Sequence, residues 1–309
     1  MIELTRKPRR QAWRQELSKN RYLYLMALPV AAFFIVFCYF PMYGVLIAFE
    51  QYSPIKGVFG SKWVGFEHFV NFFESYYFWR LIRNTFLINL YDLIFNFPAP
   101  IIFALLLNEV RRPGFKRTVQ TITYMPYFIS LVVVVGLLKE MTTSDGFIMD
   151  FLTLFGMERV NLMGYPEYFR ALFVGSNIWQ GLGFSSILYL SAISSIDPTL
   201  YEAATMDGAG RFKRVIHITL PGIFSTIITL FILRMGSMIA VGYEKIILMY
   251  NPVTMETADV ISSFVYRKGL IDSDYAFATA IGLFNSVLNC AFLILGNYLS
   301  RRFAKRSLW

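Results

Sequence analysis

Long apolar runs, separated by short polar and basic segments, dominate the chain. Six of them reach the roughly 20 mainly apolar residues that a helix needs to cross the hydrocarbon core of a bilayer. They lie at about 22–49, 82–108, 118–138, 168–193, 217–242 and 276–300. Each is too long for a strand, and the alternating segments of about ten residues that build a spanning barrel are missing. The pattern therefore predicts an all-α integral membrane protein with six transmembrane helices. No Gly/Ser linker, composition break or inverted repeat divides it, so one transmembrane domain is expected over 22–300, between a basic N-terminal tail at 1–21 and a short C-terminal tail at 301–309. The first run, Tyr22 to Phe49, far exceeds the apolar stretch of a cleavable leader and is expected to be retained as the first span.

Composition supports this reading: of 309 residues 56% are hydrophobic and only 16% charged, with a mean hydropathy of +0.50. The net charge of +9 does not point to nucleic acid, because the basic residues sit between apolar runs rather than along a polar face. It sets topology instead. Arg6, Lys7, Arg9, Arg10, Arg14, Lys19 and Arg21 lie before the first span, Arg111, Arg112, Lys116 and Arg117 between the second and third. Arg211, Lys213 and Arg214 lie between the fourth and fifth, and Arg301, Arg302, Lys305 and Arg306 after the last. These 18 fall on one side, against nine on the other (Lys56, Lys62, Arg80, Lys139, Arg159, Arg170, Lys245, Arg267 and Lys268) spread over longer loops. By the positive-inside rule both termini are expected in the cytoplasm. The opposite loops, about 50–80, 139–167 and 243–275, are aromatic-rich and are expected to fold over the outer mouth. Cys38 and Cys290 show no pairing or metal-ligand spacing and read as inert packing residues.

The segment between the fourth and fifth runs has the most definite local chemistry. Asp197 can cap a helix and Pro198 suits its first position, where a missing N–H costs nothing. A short helix should follow, with Gly208 and Gly210 permitting the positive φ of a C-terminus and turn before the chain re-enters the membrane. The result is a cytoplasmic helix–turn–helix elbow over 197–221.

The spacing Glu202-Ala203-Ala204, Gly208, Ile218, Leu220-Pro221 resembles the loop that marks permease subunits of ATP-binding-cassette importers. The likeness extends through Trp63-Val64-Gly65-Phe66-Glu67, Asn84-Thr85, Arg117-Thr118, Met125-Pro126, Trp179-Gln180-Gly181 and Ile196-Asp197-Pro198. Together these resemble the six-span sugar permeases that import oligosaccharides. The stretch from Ala258-Asp259-Val260-Ile261 to Tyr266-Arg267-Lys268-Gly269-Leu270 is similar to a branch linked to acidic polysaccharide fragments. The resemblance implies a type I importer permease fold whose elbow is the coupling helix. Glu202 would then contact the ATPase, Ala203 and Ala204 would allow close approach, and Gly208 would set the turn. Asp207, Gly210, Phe212, Leu220 and Pro221 would complete the coupling surface. It also implies the partners: a second homologous permease in a heterodimer, two ATP-binding subunits, an extracellular solute-binding protein, an oligosaccharide substrate and membrane lipid.

No phosphate-cradling loop occurs, since the chain contains no Gly-Lys dipeptide, so ATP and Mg would be used by a partner and this chain would bind no cofactor. The two histidines, His68 and His217, offer no metal cluster or catalytic triad, and the chain reads as non-enzymatic. Polar groups within spans suggest a solute path or interhelical hydrogen bonds. Asn89, Asp92 and Asn96 share one face of the second span, and Asn285 and Asn289 lie a turn apart in the sixth. Arg234, about 13 residues beyond Pro221, falls near mid-membrane; it meets either a substrate carboxylate or a structural acid such as Asp92. Tyr243 and Glu244, with Lys245, read as sugar or binding-protein contacts or as an interfacial belt. Trp179 and Tyr189 could stack on sugar rings or simply pack. Gly181-Leu182-Gly183 suits close helix packing. Rival readings are a same-fold importer of another solute and an ion-coupled transporter or channel.

Overall fold

The computed structural model describes residues 19–236 and 242–304, and at 299, 300, 303 and 304 the backbone only. Arg6, Lys7, Arg9, Arg10 and Arg14 of the N-terminal tail and Lys305 and Arg306 of the C-terminal tail lie outside the described residues. The chain forms two compact units, 1–65 and 66–309.

In the first unit, α1 (Arg21–Phe33) runs on through a π-helical turn at Phe34–Tyr39 and a 3-10 stretch at Phe40–Phe49, a 29-residue apolar helix in all. Beyond it β1 (Glu50–Gln51) pairs antiparallel with β2 (Lys62–Trp63) around the one-turn α2 (Gly57–Gly60), and Phe49 stacks on Trp63 with ring centroids 5.5 Å apart. This two-residue ladder carries no alternation long enough to be seen in sequence.

The second unit begins with α3 (Glu67–Glu74). α4 (Phe78–Tyr91), a π turn at Asp92–Asn96 and α5 (Pro98–Glu109) then form one 32-residue helix. α6 (Pro113–Tyr124), α7 (Leu131–Met141), α8 (Phe147–Thr153) and the 29-residue α9 (Pro166–Ser194) follow. α10 (Pro198–Met206) and α11 (Arg211–Arg214) lead through a π turn at Val215–Thr219 into α12 (Leu220–Gly236). The remaining elements are α13 (Tyr243–Met249), α14 (Met255–Ala258), α15 (Ile261–Tyr266) and α16 (Tyr275–Ala304).

The fold is all-α and membrane-spanning. Four described helices are long and apolar enough to cross a bilayer: Arg21–Phe49, Phe78–Glu109, Arg211–Gly236 and Tyr275–Tyr298. The expected span at 118–138 is not one straight helix, because the chain bends by 104° between Phe128 and Leu131. Pro126 sits in the 3-10 turn at Met125–Phe128 that closes the first arm, and extended Ser130 starts the second by accepting from Val133 N at 3.4 Å. The expected span at 168–193 lies within α9, whose 29 residues extend about 43 Å at 1.5 Å rise. It is not among the helices that qualify on apolarity, and it carries Asn177 and Gln180 within its length. The expected fifth span ends as a described helix at Gly236, and 237–241 lie outside the described residues.

Prolines account for three of the four described π turns. A proline within a helix cannot donate to the carbonyl four residues back, and its ring crowds that carbonyl. Pro41 faces Phe37 in this way, Pro98 and Pro100 face Ile94 and Asn96, and Pro221 faces His217. Each of these carbonyls falls inside a π turn, at Phe34–Tyr39, Asp92–Asn96 or Val215–Thr219, where the widened helix relieves the clash without ending the span; the fourth described π turn, at Arg267–Ile271, has no proline after it.

Packing in the second unit centres on α9, which lies against α5, α6 and α12. A Cβ on Gly183 would stand 2.2 Å from the Thr123 carbonyl oxygen, so only glycine lets α9 approach α6 so closely. Gly181 meets nothing nearer than the Ser185 hydroxyl at 4.0 Å, so its neighbour alone has this role. One buried cluster (Ala104, Tyr189, Ile193, Ile223) sits towards the elbow, and another (Phe72, Leu81, Ile261, Phe264, Ile281) around the start of α4. Cys38 and Cys290 are free thiols and both exposed, so neither packs inside the chain as expected.

Candidate functional site

The elbow follows from its own residues. Asp197 takes an extended ψ of 120°, and its Oδ1 accepts from Thr199 N at 2.9 Å, which caps α10 with Pro198 at the first position. That hydrogen bond holds the Asp197 carboxyl below the usual carboxylate range. The helix closes with Asp207 N donating to Ala203 O at 3.0 Å and Ala209 N to Ala204 O at 2.8 Å, around Gly208 at φ +75°. Gly210 departs from expectation: its φ of −66° and ψ of 166° are open to any residue, because it caps α11 rather than closing α10.

Cross-bonds hold the two arms together. Tyr201 OH lies 3.0 Å from Thr219 Oγ1, and Arg214 Nη1 donates to Thr205 Oγ1 at 3.0 Å. Gly222 lets Ile196 lie against α12, where a Cβ would stand 2.6 Å from Ile196 Cδ1. Glu202, Ala203, Asp207, Gly208 and Pro221 are exposed, while Ala204 and Leu220 are half-buried. Met206 and Phe212 are 88% and 77% exposed, so the elbow presents apolar side chains beside Glu202 and Asp207. Exposed apolar groups with a polar rim mark a contact surface. Arg211 Nε lies 3.9 Å from Glu109 Oε2, which places the end of the Phe78–Glu109 helix beside the elbow. The Phe78 end is then about 46 Å away at 1.5 Å per residue, at the opposite end of the span.

Between these ends lies a polar cluster. Asp92 opens the π turn with its side chain 3% exposed and pairs with Arg234 of α12. Its Oδ1 also accepts from Asn177 Nδ2 at 2.9 Å and Asn96 Nδ2 at 3.2 Å. Asn177 Oδ1 in turn accepts from Lys245 Nζ at 2.6 Å, so one chain of contacts joins Arg234, Asp92, Asn177 and Lys245 across three helical segments and α13. A carboxylate inside a bilayer needs such donors, because an uncompensated charge there is expensive.

Two cavities flank the cluster and Arg234, 41% exposed, lines both. One, of about 250 Å³, is lined by Asn89, Asp92, Asn177, Gln180, Arg234, Glu244 and Lys245 among others. The other, of about 560 Å³, is mostly apolar, with Asn96, Tyr127, Phe184, Ser185 and Tyr189 beside Arg234. Tyr127 and Phe184 stack in it with centroids 4.0 Å apart. The structure thus brings Asn89, Asp92, Asn96, Arg234 and Glu244 together. Trp179, half-exposed, and Asn285 and Asn289 on α16 are not among the described linings of either cavity. Tyr243 stacks instead on Tyr266 at 5.4 Å. Lys245 is buried, unlike a residue of an interfacial belt. Sequence reasoning passed over Asn177, although its three-residue spacing from Gln180 on an apolar helix was a legible signal.

A second polar knot was not foreseen. Asp259, wholly buried, accepts from Arg267 Nη2 at 2.7 Å, Arg267 Nη1 at 3.2 Å, Arg80 Nη2 at 3.4 Å and Ser263 Oγ at 2.8 Å. Asn84 Nδ2 donates to the Asp259 and Glu256 carbonyls at 3.0 and 2.8 Å, and its Oδ1 accepts from Arg170 at 2.9 Å. The 256–267 segment is thereby fastened to α4 and α9.

Residues 96–305 match the family described as "Binding-protein-dependent transport system inner membrane component". Among curated proteins, Protein LplB of Bacillus subtilis is 42% identical over 299 residues, 96% of this chain and 94% of that one. The polygalacturonan/rhamnogalacturonan transport system permease protein YteP of the same organism is 41% identical, over 98% of this chain and 95% of its own. Among solved structures, a chain of a bacterial ABC transporter involved in import of the acidic polysaccharide alginate is 44% identical with a TM-score of 0.86, covering 95% of this chain and 99% of that chain. A chain from a bacterial alginate ABC transporter in complex with alginate pentasaccharide-bound periplasmic protein is 43% identical with a TM-score of 0.87, at the same coverage.

Proposed function

The chain belongs to the family of inner-membrane components of binding-protein-dependent transport systems, and from that premise we propose that it is a permease subunit of an ATP-driven importer of acidic oligosaccharides. The observation that carries the substrate class is the likeness, over 95% of the chain, to a subunit of an alginate importer. YteP, named for polygalacturonan and rhamnogalacturonan, points to the same chemistry.

In this reading the chain forms half of the path beside a second, homologous permease in a heterodimer. A solute-binding protein delivers the oligosaccharide at the Phe78 end, and two ATPase subunits bind at the elbow ends of the two permeases. The elbow at 197–221 is the coupling loop, with both termini on its side of the membrane. Glu202, Ala203, Ala204, Asp207, Gly208, Gly210, Phe212, Leu220 and Pro221 form or shape the surface that meets the ATPase, which uses ATP and Mg. Asn89, Asp92, Asn96, Arg234 and Glu244 line the path, and the shared Arg234 attracts sugar carboxylates while Asp92 holds it in place. Trp179, Tyr243, Asn285 and Asn289, which are not among the described linings, act through helix packing.

Uptake of labelled uronic-acid oligosaccharides by the assembled transporter tests the reading. Wild type is expected to import them in preference to carboxyl-reduced sugars, and Arg234→Ala to lose more acidic than neutral transport. Equal import of both classes by wild type would overturn the acidic assignment, and equal losses in the variant would make Arg234 structural.

A further inference from the structure

At the end of the Phe78–Glu109 helix opposite the elbow, the start of α4 and the 252–256 segment enclose a cleft of about 730 Å³, a size typical of small-ligand sites. Its lining includes Tyr76, Tyr77, Trp79, Arg80, Arg83 and Glu256. Tyr76 and Trp79 are 87% and 75% exposed, which leaves two large ring faces uncovered by the chain. Arg83 is exposed, has no ion pair among the described residues, and lies near enough to Arg170 for the two charges to repel. Arg80 lies over the Tyr77 ring at 4.9 Å and shares Asp259 with the closer Arg267. The lining thus holds two guanidiniums, Arg80 and Arg83, against one carboxylate, Glu256, and the acid that Arg80 reaches, Asp259, is shared with Arg267. No acidic side chain stands in the first turn of α4, so the positive end of that 14-residue helix adds to the excess.

Resting on the acidic-oligosaccharide reading above, we infer that this cleft is a binding site for a uronic-acid residue of the incoming oligosaccharide, apart from the mid-span cluster. Arg83 forks onto the sugar carboxylate, since a planar guanidinium matches both of its oxygens. The apolar face of the pyranose ring lies against Trp79 or Tyr76, and the Glu256 carboxylate accepts from ring hydroxyls. A phosphate or an acidic peptide would use the arginine but leave the two ring faces without a function. Asn84 is not a ligand, because its amide is fully engaged with the Glu256 and Asp259 carbonyls and Arg170.

The test is titration of the purified full-length chain, in nanodiscs of zwitterionic lipid, with trigalacturonate and with the same trisaccharide reduced at its carboxyl groups. Wild type is expected to prefer the acidic sugar. Arg83→Gln should raise its Kd at least tenfold while leaving the reduced sugar unchanged, Arg83→Lys should recover part of the loss, and Trp79→Ala should weaken both sugars. Both side chains are exposed, so the variants should elute from size exclusion as wild type does. Wild-type affinity in Arg83→Gln and Trp79→Ala would overturn the site, as would a loss confined to capture of the solute-binding protein. Uptake by the assembled transporter separates the two claims. A wild-type assembly that imports only neutral sugars removes the acidic-import reading, whereas the cleft stands or falls on the titration.

Discussion

Replacing Asp259 by alanine removes the carboxylate at the centre of the knot that holds the 256–267 segment. The side chain is wholly buried, and its four polar contacts include two from Arg267 at 2.7 and 3.2 Å. Burial alone would lower the Arg267 guanidinium, but hydrogen bonding and charge from Asp259, and then from Tyr250, together outweigh it and hold the group above its usual value. Breaking a buried pair from one side typically costs about 3–5 kcal/mol, because the remaining charge is left without a partner. Arg267 keeps 20% of its side chain exposed and Arg80 keeps 26%, so water recovers part of this and the lower end, about 3 kcal/mol, is expected. Arg80→Ala, which removes a longer contact at 3.4 Å, should cost about 1 kcal/mol. The assay is denaturant unfolding in mixed micelles, with a double-mutant cycle between Asp259 and Arg267. A coupling of about 2 kcal/mol is expected. A loss below about 1 kcal/mol for Asp259→Ala, or a coupling indistinguishable from zero, would refute the view that this pair fastens the segment.

Other outcomes follow from the same geometry. Glu202→Lys should leave membrane insertion intact, since Glu202 is exposed, yet abolish uptake and stimulation of the ATPase; wild-type uptake would count against the coupling role. Gly208→Val should strain the elbow by roughly 1–2 kcal/mol through its φ of +75° alone, as nothing lies within 4 Å of its Cβ, and a rise in elbow hydrogen exchange would show it. Gly183→Ala should lower thermal stability by roughly 1–3 kcal/mol, because its Cβ would overlap the Thr123 carbonyl, while Gly181→Ala should be neutral; equal melting shifts would overturn this. Asp197 is held below its ordinary pKa, so its capping contribution is fully present above the unfolded value near 3.9 and is lost as pH falls through the lower folded value. Protection of the Thr199 amide should therefore persist to pH 4, and Asp197→Ala should abolish it at neutral pH.

Periodicity and length made the membrane class and the long helices legible, and the turn chemistry of Asp197, Pro198 and Gly208 made the elbow legible, because these signals are local. What was not legible depends on residues distant in sequence. Asp259 reads as an ordinary loop acid until Arg80, 179 positions away, is brought beside it. Lys245 reads as an interfacial cation until Asn177, 68 positions away, accepts a hydrogen bond from its ammonium. The bend between Phe128 and Leu131 was concealed because hydropathy averaged over a window does not register direction. Asp92 and Arg234 fall between these cases: a mid-span cation implied an anion, and Asp92 was among the candidates, but only packing selects it.

That pairing also bears on how the two ends communicate. The second arm of the elbow, from Arg211 onward, and Arg234 belong to the one helix Arg211–Gly236, so displacement at α11 has an unbroken helical route to Arg234 and reaches Asp92 through their ion pair. The route is not uniformly stiff. The π turn at Val215–Thr219 lies at the elbow end of this helix, and the one at Asp92–Asn96 lies at the cluster in the Phe78–Glu109 helix, each followed by a proline. A helix yields most readily where its regular hydrogen bonds are already displaced. Under the proposed coupling role, force at the elbow would bend the Arg211–Gly236 helix at Val215–Thr219 and, through the Arg234–Asp92 pair, the separate Phe78–Glu109 helix at Asp92–Asn96, the turn that carries the carboxylate paired with Arg234. Two rigid helices would carry both cavities along together, whereas two helices that yield at these turns can widen one cavity on Arg234 while narrowing the other, as the proposed import cycle requires.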